Sequence, residues 1–181
     1  MSFLLKLFKK KTKAVNLTIC GLDSAGKTTF VNYLIHGEFR DTAPTMGINR
    51  KSLSFPKLDM HLFDLGGQED FRPLWSDINE KSNALIYVVD STDHMRFEQT
   101  KEIFHQILNA QIDTEIPVLI LLHKVDLPDR MERIEFTRNF GLTDMNMTHT
   151  WAVFETSAKT GQGIVESMSW FMDLLGEDSN G

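Results

Sequence analysis

The sequence predicts an α/β fold: a mostly parallel six-stranded sheet with one antiparallel strand, and helices on both faces of the sheet. Two observations support this prediction. Short apolar runs alternate with segments of helical periodicity, as in parallel strands joined by helical crossovers. Two of these runs, residues 84–90 and 118–122, are almost continuously apolar, which is typical of strands buried on both faces. With 181 residues, of which 41% are hydrophobic, the chain is large enough to form one domain with a full core.

A glycine-rich loop follows the first predicted strand, residues 15–20, and precedes a helix predicted over 27–35. Gly21 and Gly26 let the backbone turn so that successive N–H groups point at a phosphate, where the start of the helix adds partial positive charge. Strand, loop and helix in this order predict a phosphate-binding loop (P-loop) rather than an ordinary glycine turn. Its predicted nucleotide-binding residues are Asp23, Ser24, Ala25, Gly26, Lys27, Thr28 and Thr29.

The predicted loop also supplies a cation and a metal ligand. Lys27 would reach the β- and γ-phosphates, and the hydroxyl of Thr28 would bind Mg²⁺. Thr45 follows the turn-forming residues 41–44, and its hydroxyl would complete the Mg²⁺ shell when a γ-phosphate is present, as in switch loops.

Strands are predicted over 48–55 and 58–63, and the two residues between them are too few for a parallel crossover, so the pair forms an antiparallel hairpin. Asp64, at the end of the second strand, is placed to hold Mg²⁺ through a water. Gly67 would bring its N–H against the γ-phosphate, and Gln68 would orient the attacking water. Gln68, Lys27 and Gly67 are therefore the predicted catalytic residues.

The rest of the chain continues the alternation of strands and helices up to a last helix. The predicted elements are a strand at 84–90, a helix at 94–110, a strand at 118–122, a helix at 130–139, a strand at 151–155 and a helix at 163–175. Residues 1–13 form an N-terminal segment, 14–176 the domain and 177–181 a disordered C-terminus.

Two further segments predict which base is bound. Asp126 can accept hydrogen bonds from both N1–H and the exocyclic N2 of guanine, a pair of donors that adenine lacks. The aliphatic stem of Lys124 can lie over the purine, and a backbone N–H near Ala158 can donate to the guanine O6. The complete set predicted to bind the base is His123, Lys124, Asp126, Ser157, Ala158 and Lys159.

Charge is unevenly distributed along the chain. The first 13 residues contain five lysines and no acidic residue, which leaves 14 basic and 25 acidic residues, a net charge of −11, for the remainder. Phe3, Leu4, Leu7 and Phe8 recur among those lysines at helical spacing, so an amphipathic helix that binds an anionic membrane surface is predicted over residues 1–13. The alternatives are a helix packed against its own domain and a frayed terminus. The acidic body does not suggest nucleic acid as a ligand.

Compartment can be predicted from what the chain lacks. No apolar run approaches the roughly 20 residues needed to span a bilayer, and no secretory signal is recognisable. Cys20 is the single cysteine, which excludes an internal disulfide and fits a reducing compartment. We expect a cytoplasmic monomer that associates with membranes reversibly and peripherally.

Six motifs, in this order and spacing, resemble the Arf (ADP-ribosylation factor) and Arf-like branch of the Ras superfamily of small GTPases: GLDSAGKTT, PTMGI, FDLGGQEDFRPLW, VVDSTD, HKVDLP and TSAKTG. The resemblance covers almost the whole chain. It implies a P-loop NTPase small G domain that switches between GTP-bound and GDP-bound forms. It also implies an exchange factor, a GTPase-activating protein and effectors that read the Thr45 and Gln68 regions, and a role in membrane association or vesicle trafficking.

Two of the positions at which the chain departs from that family concern ligand and membrane binding. His123 stands where the family has Asn; a ring N–H could donate to guanine N7, so guanine specificity is expected to survive. Residue 2 is Ser, so the N-myristoylation signal is absent and membrane binding is left to the helix. No arginine finger can be assigned in cis, so intrinsic hydrolysis is expected to be slow until an activating protein supplies an arginine.

Two other functions are compatible with parts of this pattern. A nucleotide-binding scaffold with negligible turnover would accommodate the altered base motif at His123. An adenine-nucleotide kinase or ATPase would also need a phosphate loop, but Asp126 and the absence of an obvious acceptor-binding lid disfavour it.

Overall fold

A computed structural model of the protein describes residues 15–42, 50–55, 58–64, 82–109, 116–142 and 150–177. The predictions for the N-terminal helix, for Thr45, for Gly67 and Gln68, and for residues 178–181 lie outside these ranges.

The sheet contains six strands within the described residues: β1 (Val15–Gly21), β2 (Arg50–Phe55), β3 (Leu58–Asp64), β4 (Ala84–Asp90), β5 (Val118–His123) and β6 (Trp151–Thr156). Their order is β2-β3-β1-β4-β5-β6. The pairings of β1 with β3 and β4, of β4 with β5 and of β5 with β6 are parallel. Only β2 is antiparallel, with Phe55 opposite Leu58, which confirms the predicted hairpin and the predicted fold class.

The α-helices that the structure describes are α1 (Lys27–His36), α2 (Phe97–Asn109), α3 (Arg133–Asn139) and α4 (Ile164–Glu177). Three predicted bounds were wrong. Residues 94–96 form a 3₁₀ turn before α2, because the carboxylate of Asp93 accepts a hydrogen bond from the backbone N–H of Arg96. α3 starts at Arg133 rather than at 130, since Glu132 is extended with ψ 141°. Glu177, which the sequence placed in a tail, is the last residue of α4.

Side chains alternate between two cores, one on each face of the sheet. Along β4, Leu85, Tyr87 and Val89 pack in the core that includes α2 and α3. Ala84, Ile86 and Val88 pack in the core that includes α1 and α4. Both faces of the central strands are therefore covered by helices, as expected for parallel strands.

Cys20 lies in the first of these cores and is fully buried, as the sequence predicted. Burial raises the pKa of its thiol to about 12, although nearby Lys27 opposes the shift. The thiol therefore stays protonated and serves as a small packing group. No helix in the described parts of the chain is both long and apolar enough to cross a bilayer.

Candidate nucleotide-binding site

The carboxyl ends of five parallel strands meet at one edge of the sheet, and the predicted site residues follow them. Gly21, the last residue of β1, is in register with Asp64, the last residue of β3. On the other side of β1, Asp90, His123 and Thr156 end β4, β5 and β6 and are mutually in register. Ligands of open α/β sheets bind at this edge, in the crevice outside the strand ends.

The two glycines of the phosphate loop are required by its backbone. Gly21 has φ 146°, and a Cβ there would lie 2.2 Å from the carbonyl oxygen of Val88. Gly26 has φ 98° and precedes α1 as its N-cap, with no side chain to cap the helix. Ser24, between them, also has positive φ (61°). The loop is thus a concave backbone segment at the start of a helix, which is the geometry of an anion-binding site.

Lys27 is held inside this loop. Its side chain is buried, and its Nζ donates hydrogen bonds to the backbone oxygens of Gly21 (2.8 Å) and Leu22 (2.7 Å). These two carbonyls fix the ammonium group against the loop backbone, because a buried charge needs hydrogen-bonded partners. A positive charge fixed in a backbone cradle is suited to bind phosphate.

The predicted Mg²⁺ ligands are only partly within the described residues. Thr28 follows Lys27 in the first turn of α1 and is half-buried. Thr29, its neighbour, has its hydroxyl 2.9 Å from that of Thr42, which ties the start of α1 to the segment that precedes Thr45. The backbone of Asp64 lies beside Gly21 across the β1–β3 pairing.

His123 is positioned between the phosphate loop and β6. Its Nδ1 lies 2.9 Å from the hydroxyl of Thr156, and its ring makes an edge contact with Phe30, with 6.2 Å between ring centroids. A Cβ on Gly26 would meet the Cδ2 of this ring at 2.5 Å and its Nε2 at 3.0 Å. The imidazole therefore connects the phosphate loop with the end of β6.

Burial also determines the charge of His123. The pKa of the imidazole is lowered to about 4, chiefly by burial and also by the positive charge of Lys124, against the opposing effects of Asp90 and Asp126. The ring is consequently neutral near pH 7 and carries one N–H, on either Nδ1 or Nε2.

Lys124 lies next to His123 with positive φ (64°). Its Nζ donates a 2.6 Å hydrogen bond to Asp90, whose other carboxylate oxygen accepts from the N–H and the hydroxyl of Thr92. Burial raises the pKa of Asp90, but the hydrogen bonds from Lys124 and Thr92 outweigh it and hold the pKa below its usual value. The pair anchors the lysine stem along the wall of the pocket.

Asp126 is oriented by the loop after β6. The buried hydroxyl of Ser157 donates a 2.5 Å hydrogen bond to its Oδ1, and the same hydroxyl oxygen accepts from the N–H of Thr160. A carboxylate fixed in this way can present its oxygens to a planar donor pair, which is the geometry that guanine recognition requires.

These residues surround one pocket of about 130 Å³. Its walls are formed by Gly26, Thr29, Phe39, His123, Lys124, Asp126, Leu127, Ala158 and Lys159. Seven of these lining residues belong to the predicted site, all except Phe39 and Leu127, and an eighth predicted residue, Ser157, contacts the lining through Asp126.

Sequence reasoning missed several members of this site. Phe39 and Leu127 line the pocket and are exposed apolar side chains, but each lies in an irregular segment without periodicity that would have marked it. Asp90 could have been found, since it is the first acidic residue after a buried strand, the same signal that identified Asp64. Thr156 had no local signal, because its role depends on His123, 33 positions away.

A glycine-lined phosphate cradle at a helix N-terminus, next to a pocket with a fixed carboxylate at the carboxyl edge of a parallel sheet, defines a P-loop nucleotide-binding domain of the small G type. The chain belongs to the ADP-ribosylation factor (Arf) family, whose model matches residues 1–175. This confirms the resemblance carried by the six motifs, and it makes the chain a small GTPase, a class of switches that bind GTP and GDP and hydrolyse GTP.

Two curated relatives agree with this assignment. ADP-ribosylation factor-like protein 1 of Saccharomyces cerevisiae is 34% identical over 166 residues, which cover 92% of this chain and 90% of that protein. ADP-ribosylation factor-like protein 3 of Chlamydomonas reinhardtii is 34% identical over 169 residues, which cover 93% of this chain and 95% of that protein.

Proposed function

We propose that this protein is a GTP-hydrolysing switch that binds its nucleotide at the carboxyl edge of the sheet and associates with membranes in a nucleotide-dependent way. The observation that carries the proposal is that one pocket joins the phosphate loop, at Gly26, to the oriented carboxylate of Asp126. An anion cradle next to a guanine-directed carboxylate is suited to a guanine nucleotide.

The base is recognised by side chains. Asp126 accepts from N1–H and N2 of guanine, and the backbone near Ala158 donates to O6. His123 donates from Nε2 to N7, in the tautomer in which the hydroxyl of Thr156 donates to Nδ1, since the 2.9 Å contact and the neutral ring allow that arrangement. The stem of Lys124, held at its tip by Asp90, covers one face of the purine.

The phosphates are bound by the loop from Asp23 to Thr29 and by the ammonium of Lys27. Mg²⁺ fits the donor set, because hydroxyl and carboxylate oxygens are the ligands it prefers: Thr28 and Thr45 would hold it directly and Asp64 through a water. When bound, Mg²⁺ neutralises charge on the β- and γ-phosphates.

In hydrolysis, Gln68 orients the attacking water and the N–H of Gly67 contacts the γ-phosphate, with Lys27 stabilising the charge that develops on its oxygens. With no arginine assigned in cis to the reacting phosphate, the intrinsic rate is slow. A GTPase-activating protein would raise it by roughly 10³ to 10⁵-fold.

The regulated form is a cytoplasmic monomer with three parts: the helix over 1–13, the G domain over 14–176 and a short C-terminal tail. The helix binds anionic lipid through its five lysines, each contributing about 1 kcal/mol near the surface. An exchange factor, an activating protein and effectors contact the Thr45 and Gln68 regions.

Turnover is tested by comparing the wild type with Gln68→Leu under single-turnover conditions, with and without an activating protein from a related GTPase. We expect stimulated hydrolysis in the wild type and loss of stimulation in Gln68→Leu, with GTP affinity unchanged. Tight guanine-nucleotide binding without stimulated hydrolysis in either protein would support the scaffold instead, whose motivation is the histidine at position 123. A preference for ATP over GTP in competition would instead favour the adenine-nucleotide kinase or ATPase.

Membrane association is tested by co-sedimentation with anionic vesicles of the full chain loaded with GDP or with a non-hydrolysable GTP analogue. Binding in the GTP-analogue state alone is expected. Lys9→Glu with Lys10→Glu is the matched variant that should weaken it. Equal binding in both states would show that the helix is a constant anchor and not part of the switch.

A further inference from the structure

Arg96 contacts the phosphate loop from 73 residues further along the chain. Its Nη1 donates to Oδ1 of Asp23 at 2.7 Å, and its Nη2 lies 3.3 Å from the backbone oxygen of the same residue. Its Nε donates at 2.6 Å to Oδ2 of Asp93, which caps the 3₁₀ turn. One guanidinium therefore joins the phosphate loop to the segment after β4.

Asp23, the partner of Arg96 in the loop, carries a negative charge at a site that is expected to bind phosphate. A loop that binds phosphate through N–H groups and a lysine is attractive to anions, and a carboxylate within it opposes this attraction. The unfavourable effect is larger for GTP than for GDP, because the γ-phosphate adds negative charge. Without compensation, Asp23 would shift the balance of the site toward GDP.

The contact with Arg96 determines the side of the loop on which this carboxylate lies. In the sheet, β1 lies between β3 and β4. Asp64, the predicted Mg²⁺ residue, ends β3, whereas Arg96 belongs to the segment that follows β4. The ion pair thus draws Asp23 toward the β4 side, away from the β3 side where Mg²⁺ and the γ-phosphate are expected.

We propose that Arg96 is a positioning residue that sets the preference for GTP over GDP, by holding the Asp23 carboxylate on the β4 side of the phosphate loop and neutralising its charge. The inference rests on the proposed function, since it concerns how the same site discriminates between its two nucleotides. Arg96 acts through Asp23 and does not itself touch the nucleotide.

The expected effect is moderate, because the pair is only partly buried. The side chain of Arg96 is 35% exposed and that of Asp23 is 46% exposed, so solvent screens part of the interaction. We expect Arg96→Ala to lower the ratio of GTP-analogue affinity to GDP affinity by about threefold to tenfold.

The test is a double-mutant cycle on the full chain. Affinities for GDP and for a non-hydrolysable GTP analogue are measured by fluorescent nucleotide titration for the wild type, Arg96→Ala, Asp23→Ala and the double variant, with thermal unfolding as the check on folding. The ratio should fall in Arg96→Ala and return to the wild-type value, or above it, when Asp23→Ala is added. Asp93→Ala, which removes the cap of the 3₁₀ turn but leaves the pair with Asp23, should keep the ratio within about twofold.

Other results would overturn the inference. An equal loss of affinity for both nucleotides in Arg96→Ala, or a ratio that Asp23→Ala fails to restore, would mean that Arg96 only supports the fold of the loop. Asp23→Ala alone could also lower the ratio of GTP-analogue affinity to GDP affinity as much as Arg96→Ala does. That result would mean that the intact ion pair sets the ratio, and that the uncompensated charge of Asp23 does not. If the wild type binds no guanine nucleotide, the proposed function fails as well, whereas wild-type binding with an unchanged ratio in Arg96→Ala removes this inference alone.

Discussion

The phosphate loop adjoins the base pocket, which is the cavity lined by His123, Lys124 and Asp126, yet the two are built in different ways. The phosphate loop is shaped by its own backbone, through Gly21 and Gly26, and its lysine is held by carbonyls five and six residues before it. The base pocket is held by side-chain contacts between distant segments, as between His123 and Thr156 or between Asp126 and Ser157.

This difference has a practical consequence for substitutions. The cradle tolerates little change at its glycines. A Cβ on Gly21 would meet main-chain atoms of Val88, which cannot move aside, and a Cβ on Gly26 would meet the ring of His123. A pocket built from side chains can exchange one partner for another of suitable size and polarity. At position 123, for example, a histidine side chain contacts both Thr156 and the phosphate loop.

The largest predicted effect tests the rigidity of the cradle. Gly21→Ala would place a Cβ 2.2 Å from the carbonyl oxygen of Val88 at φ 146°, and we expect it to lower the free energy of unfolding by about 3 kcal/mol or more. Gly37→Ala is the control, since Gly37 also has positive φ (76°) but open space around its Cβ; its cost should be about 1 kcal/mol. Urea unfolding of both variants gives the comparison, and equal losses would contradict a steric requirement in the loop.

The next effect concerns the carboxylate of the base pocket. Asp126→Asn replaces one acceptor by a donor, and we expect GDP affinity to fall by roughly 10- to 100-fold, because a hydrogen bond to a charged group is lost and two donors then face each other. Xanthine nucleotides, which carry an oxygen in place of N2, should bind the variant better than the wild type. Competition between GDP and XDP measures both changes, and an unaltered order of preference would remove Asp126 from base recognition.

A smaller effect is predicted for the decrease in the free energy of unfolding as the pH is lowered. The folded-state pKa of His123, about 4, lies below the 6.5 of a free histidine side chain. The unfolded chain therefore binds the proton first as pH falls, so the contribution of the neutral ring is present above pH 6.5 and is lost between about 6.5 and 4. The difference between 6.5 and about 4 corresponds to a loss of at most about 3 kcal/mol.

Denaturant midpoints recorded from pH 7.5 to pH 4 measure this loss. His123→Asn keeps a polar group in the pocket but removes the titration, and its stability should change less over that interval. If the two curves are parallel, the acid sensitivity in this interval arises from another group; Asp90 does not contribute to it, because its lowered pKa acts only below about pH 4.

The smallest effect is expected at Ser91, which follows Asp90 at the same sheet edge. Its hydroxyl is buried and makes no hydrogen bond within the described structure. Ser91→Ala should therefore leave stability within about 0.5 kcal/mol of the wild type, or raise it, because no bond is lost and a buried polar group is removed. A clear loss of stability or of nucleotide affinity would show that the hydroxyl has a partner in the nucleotide-bound state.

The features that could be predicted from the sequence are the local ones, as in the phosphate loop, and the contacts between distant side chains could not be predicted. The order of strands and helices, the antiparallel hairpin and the glycine loop before α1 depend on short-range patterns, and the structure has all three, with some strand and helix ends shifted by one to three residues. Those ends depended on individual contacts, such as the cap that Asp93 provides to the turn before α2. The family was also predictable, since six motifs keep their order and spacing along the chain.

The sequence by itself determined the fold class and the local parts of the site, because hydrophobic periodicity and glycine positions act over a few residues. Only the tertiary structure decided which distant side chains meet. It paired His123 with Thr156, Lys124 with Asp90, and Asp23 with Arg96, at separations of 33, 34 and 73 residues. The physical reason is the parallel sheet: its crossovers bring together, at one edge, residues that the linear chain holds far apart.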